Sequence, residues 1–244
     1  MSTIVVAYDG RKAGTGSKQT TYTYTGASTI MSVASNMSNL DRNAVIENLV
    51  IDGTNASGTT GILLENVCNC LIRNLTIRNC TVGIEVKITG NNRAFGNRFE
   101  HIRMINVKTG IRFTGTSSNK DFAYTSIDDV GISLCVDVFD QYPANYNGIY
   151  VGSNARLYNA FVKATLWTSD DYLHRGLVVD GELRYSLVNV EVENSGCGVL
   201  IGLGGVVLDN QSFLLTTLAL DQNKRVDNKN GYGHDIVVAF QDGV

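Results

Sequence analysis

Two short hydrophobic patterns alternate along the middle of the chain. The first reads apolar, any, Asn-like, apolar, any, apolar. It occurs as Ile46-Glu47-Asn48-Leu49-Val50-Ile51 and again as Ile72-Arg73-Asn74-Leu75-Thr76-Ile77. Phe99-Glu100-His101-Ile102-Arg103-Met104 and Ile127-Asp128-Asp129-Val130-Gly131-Ile132 follow. Leu157-Tyr158-Asn159-Ala160-Phe161-Val162 and Leu187-Val188-Asn189-Val190-Glu191-Val192 complete the set, at steps of 26 to 30 residues. The second pattern is Gly, apolar, any, apolar, led by Gly61, Gly83, Gly110, Gly148, Gly176 and Gly198. Alternation with a period of two marks strands with one buried face. A unit this short is below the ~40 residues of a propeller blade, and the Leu/Asn consensus of a leucine-rich repeat is missing. Stacked parallel coils remain. The pattern predicts an all-β chain, a right-handed parallel β-helix of about seven to eight coils.

The Asn-like position has a physical cause. Two neighbouring inward residues around it require a corner, and Asn tolerates the left-handed backbone such a corner needs. Stacked amides can also bond along the column. The predicted structural ladder is Asn48, Asn74, Asn159 and Asn189, with a second column of Asn79, Asn106 and Asn194. His101 and Asp129 stand in the first column as corner residues. Outward positions alternate in sign: Glu47, Arg73 and Glu100, then Asp52 with Arg78, and Glu85 with Arg112. Coils stack ~4.8 Å apart, so these charges fall within pairing reach and help to hold register. Later outward positions turn apolar, at Tyr158, Phe161, Val178, Val188 and Leu200. They are the candidate oligomer interface unless segment 206–244 covers them.

Domain organisation follows the repeat. Residues 1–42 are expected to form irregular N-terminal strands and a cap, 43–205 the β-helix core, and 206–244 the C-terminal coil or coils and closing strands of the same domain. Residues 88–97, 114–125, 135–147 and 165–175 are read as insertions. Their aromatic residues, Trp167, Tyr172, Tyr142 and Tyr146 foremost, are candidates for stacking on a sugar. The alternative is that they fold back as small satellite cores.

Composition narrows the partners. Net charge is −3 with 18% charged residues, and no basic run supports nucleic-acid binding. Apolar runs are too short for a membrane span, and the N-terminus lacks the pattern of a secretory signal peptide. The five cysteines, Cys68, Cys70, Cys80, Cys135 and Cys197, are odd in number and lack a paired Cys-x-x-Cys spacing. They are expected to be small buried residues, with no metal site, no disulfide framework and no cofactor.

Through motifs such as Ile46-Glu47-Asn48-Leu49-Val50-Ile51-Asp52-Gly53, the chain resembles the pectate-lyase-like superfamily of right-handed β-helices over about residues 43–202. That resemblance implies the fold. It leaves open pectate lyases, polygalacturonases, polysaccharide epimerases and viral tailspike or appendage proteins. Of the polygalacturonase motifs only Asp128-Asp129 matches in part, and Asp129 falls on the corner column. Asp128 is thus one catalytic candidate. Asp170, Asp171 and His174, in one loop with Trp167 and near Asp180 and Glu182, are others. The reading drawn from these features is a structural or binding β-helix of an extracellular or virion assembly. It would partner itself, as a trimer or an end-to-end stack, and a polysaccharide is a further candidate partner. Nucleic acid and membrane are not expected partners. The alternatives are a polysaccharide lyase, glycoside hydrolase or epimerase with a non-standard site, and a monomeric sugar-binding module.

Overall fold

The computed structural model describes residues 4–5, 11–13, 20–23, 28–34, 44–54, 57–117, 120–134, 146–167, 174–193, 197–201, 212–221 and 234–238. Every strand pairing among them is parallel, each strand bonding to those one coil before and after. The pairings resolve into three faces. The first runs through Val45–Asp52, the start of Leu71–Ile88 and of Arg98–Gly115, Ser126–Leu134, Phe161–Trp167, the end of Glu182–Glu193, and Ser212–Asp221. The second runs through Thr29–Ala34, Thr60–Glu65, the later parts of the two long strands, Tyr146–Val151, His174–Val179, Cys197–Ile201 and His234–Val238.

The third face joins Ala94–Phe95, Lys120–Ala123, Ala155–Tyr158 and the start of Glu182–Glu193. Residues 88–97 and 114–125 are therefore not insertions: each carries the third side of its coil. Inward positions stack in columns between the faces. Ile46, Ile72, Phe99, Ile127, Val162 and Val188 form one, and Ile62, Ile84, Ile111, Ile149, Leu177 and Val199 face it from the second side. Phe122 closes the third side, edge-on to Phe113 at 5.3 Å.

The number of coils needs correction. The solenoid closes about five turns, not seven to eight. Five steps along the first face carry the chain from Ile46 to Val188. The larger number added the segments at the two ends, as coils of their own, to the six copies of the repeat. The segments towards the two ends contribute short strands, such as Ile4–Val5 and His234–Val238, that pair onto neighbouring rungs.

The second-face glycines have a steric cause. A Cβ on Gly61 would lie 2.6 Å from the Gly83 carbonyl oxygen, and one on Gly83 2.8 Å from that of Gly110. A Cβ on Gly110 would lie 2.5 Å from the Gly148 carbonyl oxygen, and one on Gly148 2.8 Å from that of Gly176.

Register also revises two ladder positions. From Ile127 the first face steps to Val162, not to Leu157, and the pairing shifts between Ile127 and Val130. Two residues, Asp128 and Asp129, then oppose the single Lys163, and the first corner column ends at Asp129. Asn159 belongs to a different corner, before the first face begins. Asn189 lies opposite Lys163 and is not among the described left-handed residues. Asn194 lies outside the described residues.

Candidate functional site

Three corner columns organise the surface chemistry. The first holds Asn48, Asn74, His101 and Asp129, all with φ between 53° and 57°. His101 Nδ1 and Asp129 Oδ2 lie 2.7 Å apart, and both side chains are well exposed. Asp128, on the adjoining outward column, faces Lys163 Nζ at 3.7 Å. The neighbouring carboxylates therefore engage different partners. The geometry offers an imidazole–carboxylate pair in open solvent beside a second carboxylate and an ammonium.

The second column is a ladder of side chains. Asn106 donates its amide to Asn79 Oδ1 at 2.8 Å, and Asn79 donates to Asp52 Oδ1 at 2.8 Å. Arg78 Nε bonds Asp52 Oδ2 at 2.8 Å, and the Thr54 N–H donates to Oδ1 at 3.0 Å. Burial by itself would raise the Asp52 pKa. The bonds from Asn79, Thr54 and Arg78, with the Arg78 charge, outweigh it and hold the carboxyl below its ordinary value.

The third column was not legible as a unit in the sequence. It comprises Asn69, Gly96, Tyr124, Asn159 and Tyr185, one per coil, all with positive φ. The first four backbone N–H groups bond the carbonyl of the next coil: Asn69 to Phe95 at 2.8 Å, Gly96 to Ala123 at 2.9 Å, Tyr124 to Tyr158 at 2.8 Å and Asn159 to Arg184 at 2.9 Å. Asn and Gly adopt this conformation readily. A tyrosine there costs about 1–2 kcal/mol. Burial does not offset that cost, because Tyr124 is 62% and Tyr185 67% exposed. Tyr158 projects from the adjoining strand with its ring 5.5 Å from that of Tyr185 at 84°. The signal in the sequence was the spacing of these five residues ahead of each first-face strand. Mixed residue types obscured it.

Beside this corner runs a charged ladder. Arg156 bonds Asp121 and lies 3.8 Å from Glu182, which sits 2.7 Å from Arg184 Nε. The Asp121 bond, with the charges of Asp121 and Glu182, raises the Arg156 pKa against the effect of burial. On the second face the Tyr150 hydroxyl donates to Asp180 Oδ2 at 2.8 Å. Burial first, then the Asp180 contact, pushes the Tyr150 pKa up to about 12.

Several expected site residues are placed elsewhere. Tyr146 is fully buried under Lys108, whose Nζ lies 5.1 Å from the ring centroid, so it cannot stack on a ligand. Val188 is fully buried in the main core, and Val178 and Leu200 pack with Tyr150 in a small cluster at 1% exposure. These three are covered within the single chain and offer no subunit surface. Tyr158 and Phe161 remain half-buried at outward positions. Asp170, Asp171, Tyr142 and Tyr172 lie outside the described residues, as do the side chains of Trp167 and His174. Among the described residues no cluster of three or more His, Cys, Asp or Glu is placed to hold a metal. Cys68, Cys70 and Cys80 are buried free thiols, and burial pushes Cys70 and Cys80 up to about 12.

No curated protein matches the chain. A solved structure, the Azotobacter vinelandii mannuronan C-5 epimerase AlgE4 A-module, aligns over 98% of this chain and 91% of its own. Its TM-score is 0.27 and its identity 10%, a likeness that bears on no question of function. The family model "Right handed beta helix region" matches residues 19–170, more than half of the chain and the part that contains most of the stacked coils. The chain belongs to the right-handed β-helix family.

Proposed function

We propose that the protein is a structural and binding β-helix of an extracellular or virion assembly, an appendage or filament subunit that associates with itself and recognises a glycan. The observation that carries this reading is the use made of its outward charges. Glu47 pairs with Arg73 at 2.8 Å, Asp52 with Arg78 at 2.8 Å and Glu85 with Arg112 at 2.8 Å, each across one coil step. These pairs join neighbouring coils, an arrangement that suits a structural element. Among the described residues, Asp52 moves down and Tyr150, Cys70 and Cys80 move up, all away from neutrality. Acid–base chemistry at neutral pH asks for shifts toward it.

A second reading, a polysaccharide-active enzyme, is favoured by the exposed His101–Asp129 pair beside Asp128. The two part in one experiment. Light scattering on the purified chain is expected to report a trimer or a longer stack, with no new reducing ends or unsaturated sugars from a polysaccharide panel. A monomer that releases such products, and loses the activity in His101→Ala, would establish the enzyme instead.

A further inference from the structure

We propose that the third corner is a glycan-binding ledge, on which a neutral saccharide chain lies along the helix axis with its ring faces against Tyr124 and Tyr185. This localises the glycan recognition proposed above and rests on it.

The placement of the two tyrosines is the starting point. Their column otherwise holds Asn69, Gly96 and Asn159, residues at ease with positive φ. Tyr124 and Tyr185 adopt the same strained backbone while leaving most of their ring surface in water. Conformational preference favours a large aromatic at neither position, and the edge-on contact of Tyr185 with Tyr158 leaves its ring largely exposed. Strain of this sort persists where a surface group has work outside the fold.

Spacing supplies the orientation. Tyr124, Asn159 and Tyr185 occupy successive coils, so the two rings stand two steps apart, ~9.6 Å along the axis. Asn159 sits between them. Tyr158 braces Tyr185 edge-on at 5.5 Å. An aromatic, amide, aromatic row suits a chain of pyranose rings. The C–H face of a sugar packs on each phenol, and its hydroxyls meet the amide and the phenol oxygens between.

Charge selects the class of glycan. The ladder beside the ledge pairs Asp121 with Arg156 and Glu182 with Arg184, two acids against two bases. It presents no excess positive charge to a polyuronate. A protein partner fits the feature less well, since a stable interface buries about 800 Å² on each side and this ledge is a row of a few side chains at a bend.

The test uses Tyr124→Asn, Tyr185→Asn and the double variant of the full chain. Asn suits the left-handed backbone, as Asn69 and Asn159 in the same column show, so the variants are expected to keep or raise the melting temperature. The probes are soluble neutral polysaccharides (glucan, mannan and galactan) and a polyuronate, measured by affinity electrophoresis and calorimetry. The wild type is expected to bind a neutral polysaccharide. Each substitution should weaken that binding roughly three- to tenfold, the scale of one aromatic stacking contact, and the double variant more. Equal binding by the double variant would overturn the ledge and leave glycan recognition standing. Preference for the polyuronate would overturn the neutral class. Absence of all glycan binding in the wild type would remove both the ledge and the recognition it rests on. A change of oligomeric state in the variants without any glycan signal would show the ledge to be a protein interface.

Discussion

Single residues in this fold act through the backbone as much as through their side chains. Asn79 adopts φ 56° and joins Asp52 to Asn106 through two 2.8 Å bonds. Asn79→Gly keeps the conformation and loses the bonds, whereas Asn79→Ala loses both. Urea unfolding is expected to place the Ala variant about 1–2 kcal/mol below the Gly variant, the cost of a left-handed L-residue. Asp52 gives the pH dependence. Its folded pKa lies below the unfolded value, so its contribution to stability is present above that value and is lost as pH falls through the folded pKa. The stability gap between wild type and Asp52→Asn should therefore be widest above about pH 5 and should shrink below about pH 4. A gap that widens on acidification would contradict the depressed pKa.

Between strands, the value of an ion pair follows burial. Glu47 is buried while Arg73 is partly exposed, and the pair spans one coil step at 2.8 Å. Arg73→Ala leaves a buried carboxylate short of its cationic partner and is expected to cost about 2 kcal/mol. The His101–Asp129 pair spans an equivalent step with both members in solvent. Asp129→Asn is expected to cost less than about 0.5 kcal/mol and to lose even that in high salt. Denaturation of both variants at low and high ionic strength checks the contrast. Charge alternation along the outward column was readable in the sequence. Which pairs are buried was not, because burial depends on what the neighbouring coil lays over each carboxylate.

For the whole molecule, the core columns decide stability. Val188 stands in line with Ile46, Ile72, Phe99, Ile127 and Val162. Val188→Asp places an unpaired charge in that column and is expected to cost more than about 4 kcal/mol. Circular dichroism should show loss of the strand signal. If Val188 faced outward instead, the substitution would change association in light scattering and leave the fold intact. A solenoid is stabilised by contacts between neighbouring turns, so a defect at this rung also weakens the stacking of strand Ser212–Asp221 on Glu182–Glu193.

The sequence by itself determined the coil. Alternation with a period of two, a repeat of nearly constant length and a glycine at the head of each second strand are local signals. They require stacked parallel strands whatever the details of the turns. Asn48 and Asn74 mark the first corner because few other residues accept its backbone. Only the tertiary structure decided which residue enters which column once the coil length changed. The step from Ile127 to Val162 is longer than those before it, and the pairing shifts within it. Local pattern reads Leu187 as inward and Val188 as outward, one residue away from the register that the strands adopt. A slip of one residue exchanges the two faces, which is why Val188 moved from a supposed interface into the core. The third corner was hidden by its composition. Asn69, Gly96, Tyr124, Asn159 and Tyr185 mix three residue types, and hydrogen bonds between neighbouring coils are what bring them into one line.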